Sequence, residues 1–419
     1  MRMLLKKGLA VDILGTLQAM LLLLLAAGVP AYGSEQDALW ISSNIQALHM
    51  PYNVIIDPVF ATPTSGEVVG YSRAGNASIW TGHYLAAEAF RYKVTNSPEA
   101  IDNLRRALAG IRSLVDVTGT NLLARCVIPT DSPHAQSIIT EEAGHGIFTG
   151  TLGDKTYYWI GNTVRDEYAG VFFGLGVAYD AVENPEMRAD IRQITTRLLD
   201  FLLQNNWAVV MPTGEISTVF WARPDQQLSF LQVGRRVNPG RFESTYRNYR
   251  FWYASSVVVP ISYDVLDDHN SYFKFNLNTI TLYNLIRLED SSYYRWVYMN
   301  AYTVMRRTTD DHGNAHFNMI DRGLKGPDSS RDDETRNLLE NWLQRSRRDE
   351  WVDWRGDARY PACGEDRACS AIPVVDRVRT DFLWQRSPFL LYGGGQGIIE
   401  GAGIDYILPY WMARYYGVL

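Results

Sequence analysis

The chain has 419 residues, 46% of them hydrophobic, and a formal net charge of −6 at pH 7. Its charges are spread evenly along the sequence, so no basic surface favours a nucleic-acid partner. The length and the hydrophobic content are sufficient for a large core, either in several domains or in one closed architecture.

Residues 1–33 have the features of a signal peptide. Lys6 and Lys7 provide positive charge, Met20–Val29 is an apolar run, and Ala31–Gly33 is a small-x-small cleavage pattern. The apolar run is short for a membrane span, and it is not followed by a cysteine that would carry a lipid. We expect a secreted or periplasmic protein without a stable membrane span after processing. A retained signal anchor is the alternative.

The cysteine content agrees with export. Cys363 and Cys369 bracket five residues in a loop rich in charge, and a disulfide can close a ring of this size. Cys126 remains, and we expect it to be a buried thiol. Three cysteines without nearby histidines do not form a zinc motif.

The mature part, residues 34–419, is expected to form a single domain of helical hairpins. Ile79–Val94 is apolar on nearly all sides, whereas Ala100–Val117 is amphipathic. The first pattern is typical of a buried inner helix, and the second of an outer helix. The same pair recurs as Asp166–Val182 and Arg188–Asn205, and the dipeptide Pro-Glu follows the turn in both copies.

A third, fainter copy follows from the similarity of Tyr263–Asp267 to Tyr179–Glu183. It predicts an inner helix over Tyr249–Leu266 and an outer helix over Ser271–Leu288. Repeated inner and outer helices imply an all-α ring or solenoid. The expected fold is an (α/α)6-7 toroid. A small β-hairpin at Ile147–Gly161 would be inserted on the face where the inner helices begin, which is where we expect the site.

Three motifs carry a resemblance to a known superfamily. They are Ile79–Ala87 (IWTGHYLAA), Trp159–Glu167 (WIGNTVRDE) and the Pro-Glu turns of the hairpins. With them the chain resembles the α/α-toroid proteins of the six-hairpin glycosidase type, most clearly between Ile79 and Leu288. The resemblance implies the fold, and with it a glycoside hydrolase, polysaccharide lyase or epimerase. Such toroids also include terpene cyclases and binding proteins, and no single family is assigned.

The stretch Tyr157–Gly170 is the centre of the predicted site. It places Arg165, Asp166 and Glu167 in the first turn of an inner helix, where the helix dipole favours a carboxylate. Thr163 and Asp166 also fit a capping arrangement, so Asp166 is either a cap or a catalytic acid or base. Asp166 and Glu167 cannot share one cavity, because adjacent helical side chains diverge by about 100°.

A glycosidase needs a second carboxylate about 5–10 Å from the first. Glu142, on the loop before the central stretch, and Asp381, in the segment Arg379–Pro388, are the candidates. For Glu142 and its neighbour Glu141, a solvated loop is the alternative. In the hydrolase hypothesis, Asp166 acts as acid or base and one of the two candidates is its partner.

Two histidines are further candidates for catalysis. His145 lies between glycines, on a loop that the predicted β-hairpin would hold beside Arg165 and Asp166. His83 lies in the apolar first inner helix, where it is either a core histidine with a partner or a site residue. In the lyase hypothesis, Arg165 neutralises the uronate carboxylate, and His83, His145 or Tyr168 removes the proton.

Aromatic side chains are candidates for sugar binding. The chain has 25 Tyr, 12 Trp and 15 Phe, and aromatic faces stack on sugar rings, although large helical proteins also pack aromatics in their cores. Trp80, Tyr168 and Trp252 align at the entrances of the three predicted inner helices. Trp159 lies in the central stretch and Trp384 in a late loop. These five side chains either contact the sugar or pack the end of the ring.

Neither a metal nor a cofactor is predicted. Asp310–His316 has two histidines four residues apart, but Gly313 and Asn314 argue against a helix there, and we expect a polar loop. The glycine-rich run Gly393–Gly397 lacks the dinucleotide-binding spacing and is expected to be a flexible loop.

We therefore expect an exported carbohydrate-active enzyme, a glycoside hydrolase that acts on a poly- or oligosaccharide in the funnel of the toroid. A polysaccharide lyase or epimerase acting on uronates is the first alternative. A non-catalytic envelope protein that binds a saccharide or a partner is the second. A terpenoid-type cyclase fits less well, because Arg165–Glu167 is too charged for its apolar cavity.

Overall fold

The computed structural model describes residues 33–266 and 272–419. The predicted signal peptide lies outside these residues, apart from Gly33. The described part is mostly helical, with small antiparallel sheets. Its α-helices are α1 Glu35–Asn44, α2 Ala77–Thr95, α3 Pro98–Asp116, α4 Ala135–Glu141, α5 Arg165–Ala181, α6 Pro185–Gln204, α7 Pro224–Val237, α8 Pro239–Tyr253, α9 Val258–Asp264, α10 Phe273–Arg287, α11 Ser292–Thr308, α12 Ala315–Lys325, α13 Ser329–Leu343 and α14 Ile404–Tyr415.

Three antiparallel sheets lie between the helices. Their strands are β1 Asp57–Phe60, β2 Val68–Ser72, β3 Cys126–Pro129, β4 Ile147–Leu152, β5 Lys155–Ile160, β6 Ala208–Val210, β7 Ile216–Val219, β8 Arg348–Asp353 and β9 Tyr392–Glu400. The strand orders are β2-β1-β9-β8, β3-β5-β4 and β6-β7. In the pair β4–β5, Leu152 lies opposite Lys155. This pairing confirms the predicted β-hairpin.

The first two predicted hairpins are confirmed. They are α2 with α3 and α5 with α6, and in both pairs the first helix is buried along most of its length. The side chains of Ser97 and Asn184 cap the outer helices by accepting a backbone N–H of the first turn. Pro98 and Pro185 follow at the first helical position, where a missing N–H costs nothing.

Helices α2 and α5 approach each other closely at glycines. A Cβ atom on Gly82 would collide with the backbone of Gly170, and one on Gly174 would collide with the backbone of Gly82. The two helices can therefore pack this closely only if these positions lack a side chain. Gly82 and Gly170 lie near the N-terminal ends of their helices, so the contact brings these ends together.

The predicted third hairpin is wrong. Tyr249–Leu266 holds only the end of α8, a 3₁₀ turn and the short helix α9, and many of its side chains are exposed. Helix α10 lies within the predicted outer helix but is buried from Phe275 to Ile286; Ser271 lies outside the described residues. The third pair is α7 with α8, which pack against each other. Pro224 and Pro239 begin these two helices.

Six helices are buried along most of their length: α2, α5, α7, α10, α12 and α14. Helix α2 packs against α5 and α14, α7 packs against α5 and α10, and α12 packs against α10 and α14. Helices α3, α6, α8, α11 and α13 each follow one of them, contact it and expose charged side chains to solvent. The core therefore lies between the six buried helices and their outer partners.

Three further predictions concern the cysteines, the glycine-rich run and membrane-spanning helices. Cys363 and Cys369 form the predicted disulfide, and Cys126 is buried as expected. Gly393–Gly397 belongs to β9 and pairs with β8, so the prediction of a flexible loop is wrong. No helix that the structure describes is both long enough and apolar enough to cross a membrane.

Candidate functional site

The first turn of α5 gives its two adjacent carboxylates different roles. Oε2 of Glu167 accepts the backbone N–H of Val164 at 2.9 Å, and Oε1 accepts a hydrogen bond from the Arg125 guanidinium. The hydroxyl of Thr163 donates to a backbone carbonyl at 2.5 Å instead of capping the helix. The predicted capping role of Asp166 is therefore wrong, and Glu167 is the capping residue.

Glu167 belongs to a buried polar network. Burial and the neighbouring Asp166 carboxylate raise the pKa of Glu167 well above its usual value, and the Arg125 guanidinium opposes this shift. Arg125 also donates to the carbonyls of Gly75 at 2.8 Å and Asn162 at 3.0 Å. These contacts tie three chain segments to the start of α5 without any ligand.

Asp166, in contrast, lines a cleft of about 260 Å³. The cleft is lined by Asn76, Ile79, Trp80, Asp166, Phe273, Asn276, Leu277, Asp381, Gln385 and Arg386. Oδ1 of Asp166 is buried, and none of the described residues donates a hydrogen bond to it. Leaving a buried carboxylate oxygen without a donor is costly unless another molecule supplies one. Of the two carboxylates of this turn, Asp166 is thus the one that lines the cleft.

Asp381, the second predicted carboxylate, lines the same cleft. It lies on the long connection between β8 and β9. Nε of Arg386 donates to its Oδ2 at 2.6 Å, and its Oδ1 lies 4.0 Å from Nη1 of Arg73. The structure thus brings Asp166 and Asp381 to the walls of one cleft, although they are far apart in the sequence. Two carboxylates in one cleft are what acid–base chemistry at a glycosidic bond requires.

Arg73 is a site residue that the sequence analysis missed. Its φ is 61°, a left-handed conformation that is uncommon for a residue with a side chain. Its guanidinium lies 3.2 Å from Asp57, 3.9 Å from Asp349 and 4.0 Å from Asp381. Three carboxylates therefore surround this cation, and one of them, Asp381, lines the cleft. Strained backbone of this kind is concentrated at functional sites.

Trp80 forms one wall of the cleft. Its ring packs against Phe382, with ring centroids 4.8 Å apart, which fixes its orientation. Trp80 is 8% exposed, so only a small part of its ring borders the cleft. Of the predicted site residues, Asp166, Asp381 and Trp80 are the three that the structure brings together.

Glu142 and His145 form a separate pair. Glu142 is buried; its Oε1 accepts the backbone N–H of Gly75 at 2.8 Å, and its Oε2 accepts from Nδ1 of His145 at 2.7 Å. Both carboxylate oxygens are therefore occupied, and neither residue is among those that line the cleft. The solvated-loop alternative is also wrong for Glu142, whereas its neighbour Glu141 is exposed.

His83 is fully buried in α2. Its Nδ1 donates to the carbonyl of Ile79 at 2.9 Å, and its Nε2 accepts from the amide of Asn276 at 3.1 Å. Burial lowers the pKa of His83 to about 4. Both ring nitrogens are thus engaged, which is the arrangement of a core histidine and not that of a free base.

Three of the predicted sugar-binding aromatics lie in the core. Tyr168 and Trp384 are fully buried, and Trp159 is 2% exposed. The ring of Trp159 stacks on Phe148 with centroids 4.4 Å apart, and that of Trp384 stacks on His83 at 5.3 Å. These side chains pack the interior and are not among the residues that line the cleft.

Arg165 and Trp252 also lie away from the cleft lining. Arg165 is exposed; burial of part of its side chain and the nearby Arg223 lower its pKa, while Asp225 opposes the shift. Trp252 is 66% exposed on the outer helix α8. It lines a separate aromatic groove with Trp207, Trp221, Tyr249 and Tyr253. The alignment of Trp252 with Trp80 fails because α8 is not an inner helix.

A second, smaller cavity, of about 40 Å³, adjoins the cleft and shares four lining residues with it: Asn76, Trp80, Asp381 and Gln385. Its other polar side chains include those of Asp57, Arg73, Arg345, Ser346, Arg347, Arg379, Thr380 and Asp405. None of its arginines was predicted from the sequence to be a site residue. They lie on irregular segments and on a strand end, where no periodic pattern marks them.

The two histidines of Asp310–His316 lie in different surroundings. His316 lies in the first turn of α12, where Asn314 caps the helix, so the predicted polar loop ends at Asn314. His312 contacts the hydroxyl of Tyr272, 3.2 Å from its Nδ1. Among residues 33–266 and 272–419, no group of three or more His, Cys, Asp or Glu side chains could hold a metal ion.

Comparison with known protein families found no family model that matches this chain, and comparison with curated proteins found no significant match.

Proposed function

We propose that the protein is an exported glycoside hydrolase, which cleaves a poly- or oligosaccharide in the Asp166 cleft of an α/α toroid of the six-hairpin glycosidase-like type. The observation that carries this proposal is the joint position of Asp166 and Asp381 on the walls of one cleft, with Oδ1 of Asp166 unoccupied by any described donor. The cleft also offers an aromatic wall at Trp80.

The contacts among the buried helices support the toroid. Helices α2, α5, α7, α10, α12 and α14 each contact at least two others, in an order that returns to α2, and α5 also contacts α10. Three of these helices contribute a residue of their first turn to the cleft: Trp80, Asp166 and Asn276. A funnel at the N-terminal ends of the inner helices is where the resemblance to six-hairpin glycosidases places an active site.

Hydrolysis at this site needs a proton donor at the glycosidic oxygen and a second carboxylate that acts as base or nucleophile. Asp166 takes one of these roles through its free Oδ1, and Asp381 takes the other. Trp80 offers the small part of its ring that borders the cleft to the apolar face of a sugar, and the amides of Asn76 and Gln385 are available to sugar hydroxyls.

Export is supported by the disulfide between Cys363 and Cys369, because disulfides persist in oxidising compartments. Expression of the full chain, followed by cell fractionation and N-terminal sequencing, tests this part of the proposal. A soluble protein that begins near Ser34 is expected. An unprocessed protein in the membrane fraction would instead indicate a signal anchor.

The enzymatic proposal is tested with a panel of poly- and oligosaccharides, by measuring new reducing ends and the ultraviolet absorbance of unsaturated products. We expect new reducing ends without unsaturated product. Asp166→Asn and Asp381→Asn should each lower kcat/KM about 10²- to 10⁴-fold, the usual contribution of a general acid or base. Asp154→Asn is the matched control, since Asp154 is exposed in the β4–β5 turn; it should leave kcat/KM unchanged.

Each other outcome has a defined meaning. An unsaturated product would show elimination, and the protein would be a polysaccharide lyase. Saccharide binding that survives Asp166→Asn, with no turnover of any substrate, would show a binding protein. Full activity of Asp166→Asn would place the chemistry outside this cleft.

A further inference from the structure

The second cavity contains buried donors that have no acceptor. The atoms are Nε of Arg345, Nη1 of Arg347, Nε of Arg379 and the hydroxyl of Thr380, and none of them has a hydrogen-bond partner among the described residues. All four residues line the same cavity. Since buried donors are almost always paired, four unpaired donors in one place indicate an acceptor that the protein does not supply.

The remaining donors of these arginines are used for positioning. Each guanidinium has at least one fixed acceptor: the carbonyl of Val378 for Arg345 at 2.6 Å, the carbonyl of Gly401 for Arg347 at 3.0 Å, and the carboxylate of Glu350 for Arg379. The side chain of Arg345 is 6% exposed and that of Arg347 is 11% exposed. The cations are thus held in place and largely removed from water.

Each arginine of the cavity lies within 4.0 Å of a carboxylate: Arg73 of Asp57, Arg345 of Asp405, Arg347 of Glu400 and Arg379 of Glu350. Four arginines and three aspartates line it. The aspartates already have partners: Arg73 for Asp57, Arg386 for Asp381, and the backbone N–H of Leu383 for Asp405. Burial lowers the pKa of Arg345 to about 10, although Asp405 opposes the shift. Oδ2 of Asp405 lies 3.9 Å from Nη1 of Arg345, so this carboxylate is close to the guanidinium without a hydrogen bond to it, and an added anion can supply one.

We propose that this arginine pocket, formed by Arg345, Arg347, Arg379 and Thr380, binds the anionic group of an acidic saccharide. The group is a carboxylate or a sulfate ester, since both present several oxygen acceptors to guanidinium N–H groups. The inference rests on the proposed function in one respect: it takes the sugar itself to lie in the adjoining Asp166 cleft.

The connection between the two cavities supports an acidic sugar over a free anion. Trp80 and Asp381 line both, so a ring beside Trp80 lies next to the arginine pocket. The anionic substituent of that ring, or of its neighbour in the chain, can then enter the pocket while the glycosidic bond stays near Asp166. The pocket would thus select substrates by charge, and the carboxylates of the cleft would cleave them.

Calorimetric titration of the full mature protein tests this proposal without any need for turnover. The probes are a hexuronate, a hexose 6-sulfate, the matching neutral hexose and inorganic sulfate, none of which has a glycosidic bond. We expect one of the acidic sugars to bind at least about tenfold more tightly than the neutral hexose. A tenfold difference corresponds to about 1.4 kcal/mol, within the range of hydrogen bonds to charged groups.

Variants assign the binding to the pocket. Arg379→Gln should weaken binding of the acidic sugar about tenfold, and Thr380→Val about threefold, whereas neither should change the affinity for the neutral hexose. Thr380→Val preserves side-chain shape, so it keeps the test decisive if Arg379→Gln fails to fold. Arg355→Gln is the control, because Arg355 is half-exposed and pairs with Asp353 away from the cavity lining.

Equal affinity for acidic and neutral sugars, or full affinity of both pocket variants, would overturn the proposal. Inorganic sulfate that binds as tightly as the acidic sugars would also overturn it, since the pocket would then be a bare anion site. The two proposals fail separately. Selective binding of acidic sugars without cleavage of any glycan would leave the pocket intact and exclude the hydrolase.

Discussion

Two groups of charged residues in the molecule differ in how completely they are hydrogen-bonded. In the first group, each carboxylate oxygen of Glu142 and Glu167 has a donor. In the second group, Oδ1 of Asp166 and a donor on each of three arginines of the adjoining cavity are buried and have no partner among the described residues. We interpret the first group as structural and the second as a ligand site.

The reason for this interpretation is energetic. Desolvating a charge is costly, and the cost is offset only by close hydrogen-bonded partners. A group whose partners are all protein atoms is already stabilised in the free protein. A buried group that lacks a hydrogen-bond partner is stabilised when a ligand supplies one. Adjacent residues such as Asp166 and Glu167 can therefore belong to different groups, although they are chemically alike.

The sharpest test of this comparison is a matched pair of substitutions in one helical turn. Glu167→Ala leaves the guanidinium of Arg125 buried without its carboxylate, so the free energy of unfolding should fall by about 4 kcal/mol. Asp166→Ala removes no partner of a described donor and should change it by less than about 0.5 kcal/mol. Urea unfolding of both variants measures the difference. Equal destabilisation by the two substitutions would break the comparison.

The buried histidines give the next largest effect. The pKa of His83 is about 4 in the folded state, whereas an unfolded histidine titrates near 6.5. Between these values only the unfolded chain takes up the proton, so stability falls as the pH falls. This contribution is about 2 kcal/mol between pH 6.5 and pH 5, and it is absent above pH 6.5. Burial lowers the pKa of His316 in the same direction.

Urea unfolding of the wild-type protein and of His83→Gln at pH 7 and pH 5 checks this prediction. Glutamine does not titrate, so the variant should lose about 2 kcal/mol less stability than the wild type on acidification. Identical pH dependence in the two proteins would show that His83 gains a proton in the folded state. It would then be accessible to protons, as a catalytic base must be.

The pair of Glu142 and His145 should give the smallest effect. The side chain of His145 is 43% exposed, so water can replace its hydrogen bond to Glu142, and one such hydrogen bond contributes about 1 kcal/mol. His145→Ala should therefore lower the free energy of unfolding by no more than about 1 kcal/mol and leave kcat/KM unchanged. A loss of more than about 100-fold in kcat/KM would return His145 to the catalytic residues.

The sequence predicted the first two hairpins well because their signals are local. Ser97-Pro98 and Asn184-Pro185 mark the helix starts, and the apolar and amphipathic patterns distinguish inner from outer helices. The third hairpin was missed because the match of Tyr263 with Tyr179 compares an exposed aromatic on α9 with a partly buried one on α5. Sequence similarity alone does not report which side of a helix faces the core.

The site was predictable only in part. Asp166 and Trp80 stand out because they lie at the starts of inner helices, and Asp381 because it lies in a loop rich in aromatics and charge. The arginine pocket has no such signal. Its residues come from the end of α13 and the connection before β9, and tertiary packing alone brings them beside Trp80. The role of Glu167 as cap was missed because the N-cap residue is Val164, which has no side-chain oxygen to mark the start of the helix.

The most direct test of the central claim is the crystal structure of Asp166→Asn in complex with an oligosaccharide that the wild-type protein cleaves. We predict that sugar rings contact Trp80 and that a glycosidic bond lies between residue 166 and Asp381. An acidic substituent of the oligosaccharide should lie within hydrogen-bond distance of Arg345 and Arg379. Saccharide bound only in the exposed groove at Trp252, with the Asp166 cleft empty, would contradict the account.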